Sequence, residues 1–463
     1  MNEVTIIGGG LAGAEAAWQV SKRSVDVRLV EMRPVKGTPV HVTDRFAELV
    51  CSNSLRSNHT RTAHGLLKEE MRRLGSLIMA AAEKARVPAG QALAVDRDAF
   101  ASAVTEAITH EPRIEIDRRE ITKIPEEGTV IVASGPLTSE ALAESIRAFT
   151  GETFLYFYDA ISPIVEAETI DESIVFRASR YGKGGDDYLN CPMSEQDYRR
   201  FFEMLTAAAT IDIHDIDQAM FFESCLPIEV MARRGFDTLR FGPMKPVGLV
   251  DPRTGKVPFA VVQLRQDNLA RSLYNIVGFQ NQLKWGEQKR LLRLIPGLEN
   301  AEFVRYGMIH RNTYINAPAL LHATLQTRAR ADLLFAGQLS GVEGYTESAA
   351  SGLLAGINAA EIALGRKPRT PPRNTSLGAL AHYISHSETK NFQPTNISFG
   401  LLPPLEKRVR SKKERKKAMV DRALAAIEVF SDGLREPSTA AAPELDPGEQ
   451  VSPKEERKKV SSA

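Results

Sequence analysis

The sequence predicts an α/β fold in which one domain is interrupted by another, and three observations carry that prediction. The chain opens with an apolar strand, a glycine turn and a small-residue helix, "VTII", "GGGLAG" and "AEAAWQVSKR", followed by a second strand, "VDVRLVE". Between about Phe154 and Pro318 the pattern changes to mixed strands and helices with many aromatic, proline and basic residues. The opening character then returns in "DLLFAGQLSGVEGYTESAASGLLAGINAAEIAL", a buried strand, a glycine-rich loop and a small-residue helix. A domain split by an insertion is the simplest topology that joins these ends.

The opening segment reads as the start of a Rossmann-type unit. Gly8, Gly10 and Gly13 form G-x-G-x-x-G directly after the strand. The first glycine permits the tight turn, the second lets the backbone approach a pyrophosphate, and the third lets helix and strand pack closely. The pyrophosphate charge then lies at the positive end of the helix. Glu31 ends the second strand, close to the interval of about 20 residues at which a carboxylate accepts hydrogen bonds from ribose hydroxyls. The candidate dinucleotide contacts on this side are Gly8, Gly9, Gly10, Leu11, Ala12, Gly13 and Glu31.

Further along, "HGLLKEEMRRLGSLIMAAAEKA" places Leu67, Met71, Leu74 and Ile78 on one helical face, and "VDRDAFASAVTEAI" predicts a second helix beginning near Asp96. "GTVIVASGP" reads as a buried strand running into a glycine turn. Near the end, "KKAMVDRALAAIEVF" spaces Val420, Leu424 and Ile427 for an amphipathic helix, and the last stretch lacks large apolar residues and is expected to be disordered. The expected boundaries are residues 1–153 and 319–405 for the split domain, 154–318 for the insertion, 406–433 for a basic helix and 434–463 for the tail.

Composition narrows the class. The chain has 463 residues, 43% of them hydrophobic, and a net charge of +1, which suits a globular protein with an ample core. No apolar run approaches the roughly 20 residues that cross a bilayer, and the start lacks the pattern of a secretory signal, so a cytoplasmic enzyme without a membrane segment is expected. Cys51, Cys191 and Cys225 are an odd, scattered set without a CxxC pair, which argues against a disulfide framework and a structural zinc site. The nine histidines show no metal-ligand spacing, and no metal is expected. The basic run "EKRVRSKKERKKA" reads either as a solvated helix start or as a patch that contacts nucleic-acid phosphates.

Two resemblances sharpen the reading. The late "LLFAGQLSGVEGYTESAASGLLAGINAA" resembles the second FAD-contacting motif of glutathione-reductase-like flavoproteins, which favours FAD over NAD and adds Gly337 and Gln338 to the cofactor contacts. Many such proteins carry an aspartate where this chain has Gln338, a neutral group that still hydrogen-bonds. Together, "TIIGGGLAGAEAAWQ", "ELVCSNSLRS", "ESCLPIEVMARRG", "LRFGPMKPVGL" and "FAGQLSGVEGYTESAASGLLAG" resemble the bacterial folate- and FAD-dependent tRNA uracil-5-methyltransferases, the TrmFO family, as far as about Leu405. The two cysteine motifs and the "GVEGYTES" loop are the specific part, because glycine fingerprints are widely shared.

That resemblance implies a reaction in which methylenetetrahydrofolate supplies a one-carbon unit, reduced FAD the reducing equivalents, NADPH or NADH the recharging of FAD, and the uridine at position 54 of the tRNA T loop becomes 5-methyluridine. A thiolate adding at uracil C6 makes C5 nucleophilic, which gives cysteine a role. The resemblance assigns Cys225 as the C6 nucleophile and Cys51 as a flavin-side thiol, and exchanging the two would leave the overall reaction unchanged. Glu343 and Tyr345 are expected to line the flavin and folate cavity, with the tyrosine either stacked on a pterin or packed in the core. Arg233 and Arg234, with Lys245, Arg265, Arg271 and the run from Lys412 to Lys417, are candidate phosphate contacts. Cys191 matches no such motif and reads as structural, while His310 and Arg311 read as substrate contacts or as part of a hydrogen-bonded loop. Competing readings are a relative of the FAD- and folate-dependent wobble-uridine enzymes (MnmG), which carry a longer C-terminal helical domain, a small-molecule flavin oxidoreductase, and a non-catalytic RNA-binding flavoprotein.

Overall fold

The computed structural model describes residues 3–38, 40–151, 155–160, 162–211, 226–307 and 309–435. The expected nucleophile Cys225 and the expected tail beyond Arg435 lie outside them.

Short β-branched runs form a parallel sheet of five strands in the order Leu333–Phe335, Thr129–Val132, Glu3–Ile7, Asp26–Val30 and Ile114–Asp117. The central strands are apolar along their length because helices cover both faces of such a sheet, and Val4, Ile6, Val130 and Ile131 are fully or almost fully buried. Residues at the start of the chain and residues after 330 thus share one sheet: Leu334 is in register with Ile131, which pairs with Ile6. The helices Leu11–Ser21 and Tyr345–Ala363 pack together through their small-residue faces. A Cβ at Gly352 would lie 2.2 Å from the Ala12 carbonyl oxygen, so only a glycine lets the two backbones come this close.

The helix expected through Leu67 and Ile78 is two helices, Ala63–Arg73 and Leu77–Lys84. The chain turns at Gly75, which takes a φ of 75°, and Ser76 then caps the second helix by accepting the Met79 N–H at 3.2 Å. Buried Glu15 reinforces the break by accepting the Ile78 N–H at 2.9 Å. All four of the expected face residues are nevertheless buried. Asp96 caps the helix Arg97–Thr109 through the Ala99 N–H at 2.9 Å, and Thr129–Val132 runs towards a turn where Gly135 has a φ of 71°.

A second, antiparallel sheet of six strands lies between the two halves in sequence, in the order Phe176–Arg177, Tyr188–Met193, Ala260–Gln266, Leu273–Ile276, Ile164–Glu166 and Phe303–Arg305. It has its own core, which includes Tyr198, Phe201, Leu264, Ile276 and Phe279, separate from the core around the parallel sheet. Cys191 sits in this second core at 0% exposure, where burial pushes its thiol up, in keeping with a packing role. The seam between the cores is polar. Tyr188 donates to the Ala89 carbonyl at 3.0 Å, and the Gly90 N–H donates to Asp187 at 2.6 Å.

The last helix spans Lys412–Arg435 rather than beginning at 406, because Ser411 provides the cap that the Glu414 N–H meets at 3.3 Å, and it continues past the expected end at 433. Val420 and Ile427 are buried, as the spacing predicts, with Leu424 packed beside them. Arg73 fastens this helix to Ala63–Arg73, donating to the Leu424 carbonyl at 3.3 Å and pairing with Glu428 at 2.9 Å.

Candidate functional site

A cavity opens at the carboxyl ends of four parallel strands. In such sheets, ligands bind in the crevice where the strand order reverses. Its lining includes Ile7 and Gly8 after the first strand, Glu31 after the second, Ala133 to Ser139 after Thr129–Val132, and Gly337 and Gln338 after Leu333–Phe335. About 1040 Å³ of space, part of it open to solvent, lies between these ends. Of the candidate dinucleotide contacts, Gly8, Gly10, Leu11, Ala12, Glu31, Gly337 and Gln338 face this space. Gly9 and Gly13 do not line it and instead shape its floor. A Cβ at Gly13 would lie 1.7 Å from the Gly8 carbonyl oxygen, and one at Gly9 would lie 2.4 Å from the Phe46 ring.

The residues present fit a dinucleotide. Gly10 is the N-cap of Leu11–Ser21 without a side-chain cap, and a Cβ there would meet nothing within 4 Å, so the helix N-terminus faces open space. The Glu31 carboxylate accepts the Gly9 N–H at 2.7 Å, the Arg33 N–H at 3.0 Å and Arg33 Nε at 2.9 Å. A carboxylate has about four acceptor positions, so one remains for a hydroxyl. Burial alone would raise the Glu31 carboxyl, but the hydrogen bonds and charge of Arg33, with the Gly9 N–H, hold it below the usual range. Glu48 accepts from Arg33 at 3.2 Å and from Thr43 Oγ1 at 2.7 Å, and so organises the loop that carries His41 to the cavity wall. Burial, then the charge of Arg33, lowers the His41 imidazole to about 4.

Val50 and Tyr345 extend the lining towards Cys51. The Tyr345 hydroxyl accepts the Cys51 N–H at 2.7 Å and the Ser52 N–H at 3.2 Å. Three arginines from distant parts of the chain hold the same loop. Arg97 donates to the carbonyls of Leu49 at 3.0 Å and Cys51 at 3.1 Å, and pairs with Asp267 at 3.1 Å. Arg305 donates to the Val50 carbonyl at 2.7 Å. Arg265 donates to Ser52 Oγ at 2.8 Å and Asn53 Oδ1 at 3.0 Å, while Asn53 donates to the Gln266 carbonyl at 2.9 Å. Arg265 was expected on a phosphate-binding surface, but it is 8% exposed and its guanidinium is engaged with this loop. The polar neighbours of Cys51 in sequence are thus gripped by the second sheet.

Glu343 lies next to this wall and does not line the cavity. It pairs with Arg56 at 3.2 Å and accepts from Asn396 at 2.8 Å. Arg56 itself has a φ of 63°, a left-handed conformation uncommon for an arginine. Glu347, fully buried, meets His64 at 3.2 Å and accepts the Ile397 N–H at 3.0 Å. Burial would raise its carboxyl, but His64 and Arg56 hold it low. Lys68 is buried behind them, donates to the Ser57 carbonyl at 2.9 Å and is lowered to about 7 by burial. Arg233 and Arg234 are exposed after the helix Ile228–Ala232 and are not part of the cavity. His310 and Arg311 lie on the strand Ile309–Tyr314, and their side chains are outside the described residues.

Sequence reasoning missed Arg97, Asp267 and Arg305, which flank no recognisable motif and meet only in three dimensions. Arg33 and Glu48 carry a faint signal, since the first follows the acidic strand end and the second opens the cysteine motif.

The model of one protein family, glucose inhibited division protein A, matches residues 3–367. A methylenetetrahydrofolate–tRNA-(uracil-5-)-methyltransferase TrmFO of Pelotomaculum thermopropionicum is 59% identical over 431 residues, covering 93% of this chain and 99% of that protein. The protein of the same name from Enterococcus faecalis is 60% identical over 422 residues, covering 91% and 97%. The fold is that of Aquifex aeolicus GidA, at a TM-score of 0.68 with 17% identity over 93% of this chain and 73% of that one. The cavity, the cysteine loop and the glycine-rich loop therefore belong to a member of the glucose inhibited division protein A family, in its TrmFO branch.

Proposed function

We propose that this chain methylates uracil C5 in tRNA with methylenetetrahydrofolate as the one-carbon donor, at the uridine of position 54 in the T loop. The observation that carries the reading is Tyr345: it lines the cavity at the strand ends and holds the backbone of Cys51 at 2.7 Å. The dinucleotide is FAD, held by the Gly8–Gly13 turn, Glu31, Gly337 and Gln338, and NADPH or NADH recharges it. When bound in its reduced form, FAD supplies the hydride that converts an exocyclic methylene at C5 into a methyl group.

The chain's own residues do the rest. Cys225 is the thiol that adds at C6, leaving C5 electron-rich enough to attack the one-carbon unit. Cys51, the residue after the cavity-lining Val50, takes the C5 proton or assists transfer of the one-carbon unit. Tyr345 keeps that loop in register, and Glu343, through Arg56, keeps the glycine-rich loop against it. Arg233 and Arg234 are exposed cations suited to tRNA phosphates. No described helix is long and apolar enough to cross a membrane, and an enzyme acting on tRNA works in the cytoplasm.

The test is to incubate FAD-loaded protein with unmodified tRNA, isotopically labelled methylenetetrahydrofolate and NADPH, and to map labelled nucleosides by mass spectrometry. Labelled 5-methyluridine at position 54 is the expected result. Label at the wobble position instead would assign the chain to the anticodon chemistry, and no label with folate and FAD bound would overturn the reading.

A further inference from the structure

We propose that Arg97, Arg265 and Arg305 form a guanidinium clamp that holds the loop of residues 49–53 and keeps the Cys51 sulfur as a thiolate, making all three positioning residues for that thiol. The inference deepens the proposed function and rests on its placing Cys51 at the reacting site.

The geometry has three parts. Each guanidinium bonds different groups of one short loop: Arg97 the carbonyls of Leu49 and Cys51, Arg305 the carbonyl of Val50 between them, and Arg265 the side chains of Ser52 and Asn53. They come from three elements, the helix Arg97–Thr109 and the strands Ala260–Gln266 and Phe303–Arg305, so the loop is fixed from three directions. Bonding to carbonyls fixes position without neutralising charge.

The second part is a charge count. Against three guanidiniums, Asp267 is the single carboxylate that pairs with any of them among the described residues, and it pairs with Arg97. Neither Arg265 nor Arg305 forms an ion pair there. Two positive charges in a largely water-free seam attract negative charge strongly, since Coulomb energy rises as the local dielectric falls. The third part identifies what answers them. Arg97, Arg265, Arg305 and Tyr345 each interact electrostatically with Cys51, and Asp267 lies behind the arginines. Burial, and then the charge of Cys51, pushes the Tyr345 phenol up, so it stays neutral. Cys51 lies inside the gripped loop, with Arg97 on its own carbonyl, Arg305 on that of Val50 and Arg265 on Ser52, so its thiol can give a proton to solvent and carry negative charge beside them. Cys51 is partly exposed, so its state can be read chemically.

The experiment measures the rate of iodoacetamide alkylation of Cys51 against pH in the full-length protein as purified, resolved by peptide mass spectrometry so that Cys191 and Cys225 do not contribute. The wild-type midpoint is expected well below the value of about 8.5 for an ordinary cysteine. Arg305→Gln should raise it by about one unit, slowing alkylation about tenfold at pH values below both midpoints, and Arg305→Lys should restore it. Asp267→Asn, which removes the one opposing charge, should lower it. A wild-type midpoint near 8.5, or a shift of Arg305→Gln and Asp267→Asn in the same direction, would overturn the clamp. Alkylation needs no turnover. An arginine-dependent midpoint in a protein that forms no 5-methyluridine would sink the reaction and leave the clamp standing, while product with an indifferent midpoint would sink the clamp alone.

Discussion

The hydroxyl of Tyr345 accepts hydrogen bonds from the backbone N–H groups of Cys51, at 2.7 Å, and Ser52, at 3.2 Å, and so ties the glycine-rich loop after the last parallel strand to the cysteine loop after the second. The two residues are 294 apart in sequence. Replacing Tyr345 by phenylalanine keeps the ring and leaves two N–H donors without this acceptor. Stability should fall by about 1–3 kcal/mol in urea unfolding, and methyl transfer should drop with it. If ring stacking on a pterin were the whole role, the phenylalanine variant would keep full activity, so kcat at saturating folate separates the two readings.

The glycine turn should respond unequally to an added methyl group. In Gly13→Ala the new Cβ meets the Gly8 carbonyl oxygen at 1.7 Å, so helix and turn must separate at a cost of about 3 kcal/mol or more. In Gly10→Ala it enters open space, and the protein without flavin should keep its wild-type melting temperature. Both should purify with less flavin, read from the ratio of absorbance near 450 nm to that at 280 nm, but only Gly13→Ala should lose stability.

His41 should make the cofactor end of the cavity sensitive to acid. Its imidazole is lowered to about 4 in the folded protein by burial and Arg33, against about 6.5 for an ordinary histidine. Between these values the unfolded chain binds the proton and the folded one does not, so stability present above about pH 6.5 is lost as pH falls towards 4. His41→Gln removes this contribution, and its melting temperature should fall less steeply than that of the wild type between pH 7 and 5. Parallel curves for the two proteins would exclude His41 as the source.

Arg233 and Arg234, both exposed, should act on tRNA through phosphates alone. Changing both to alanine should reduce the slope of log affinity against log salt by about one to two, without changing which uridine is modified. An unchanged slope would remove the pair from the tRNA surface.

Much of this protein was legible in the chain because the relevant interactions are local. The turn from Gly8 to Gly13 and the acidic strand end at Glu31 are demanded by backbone sterics and by a helix terminus within about 30 residues, and their spacing survives in the sequence. The same holds for the caps at Asp96 and Ser411, although the second was overlooked and the last helix was expected to start early. The break at Gly75 was missed because the apolar spacing of Leu67, Met71, Leu74 and Ile78 continues through it, and the capping by Ser76 and buried Glu15 outweighs periodicity there.

What the chain could not reveal is which charges face one another. Arg265 read as a surface cation because arginine usually is one, yet the second sheet turns it inward onto Ser52 and Asn53. Arg97 and Arg305 lie far apart in sequence and converge on a loop of five residues, with Asp267 paired to Arg97 behind it. The glycine turn, the order of the split domain and the family's cysteine and glycine motifs can be read from the chain, since each depends on neighbours along it. The surroundings of Cys51 were decided by tertiary structure alone, because electrostatic environment depends on distance through space, and only folding brings two separate cores together around one thiol.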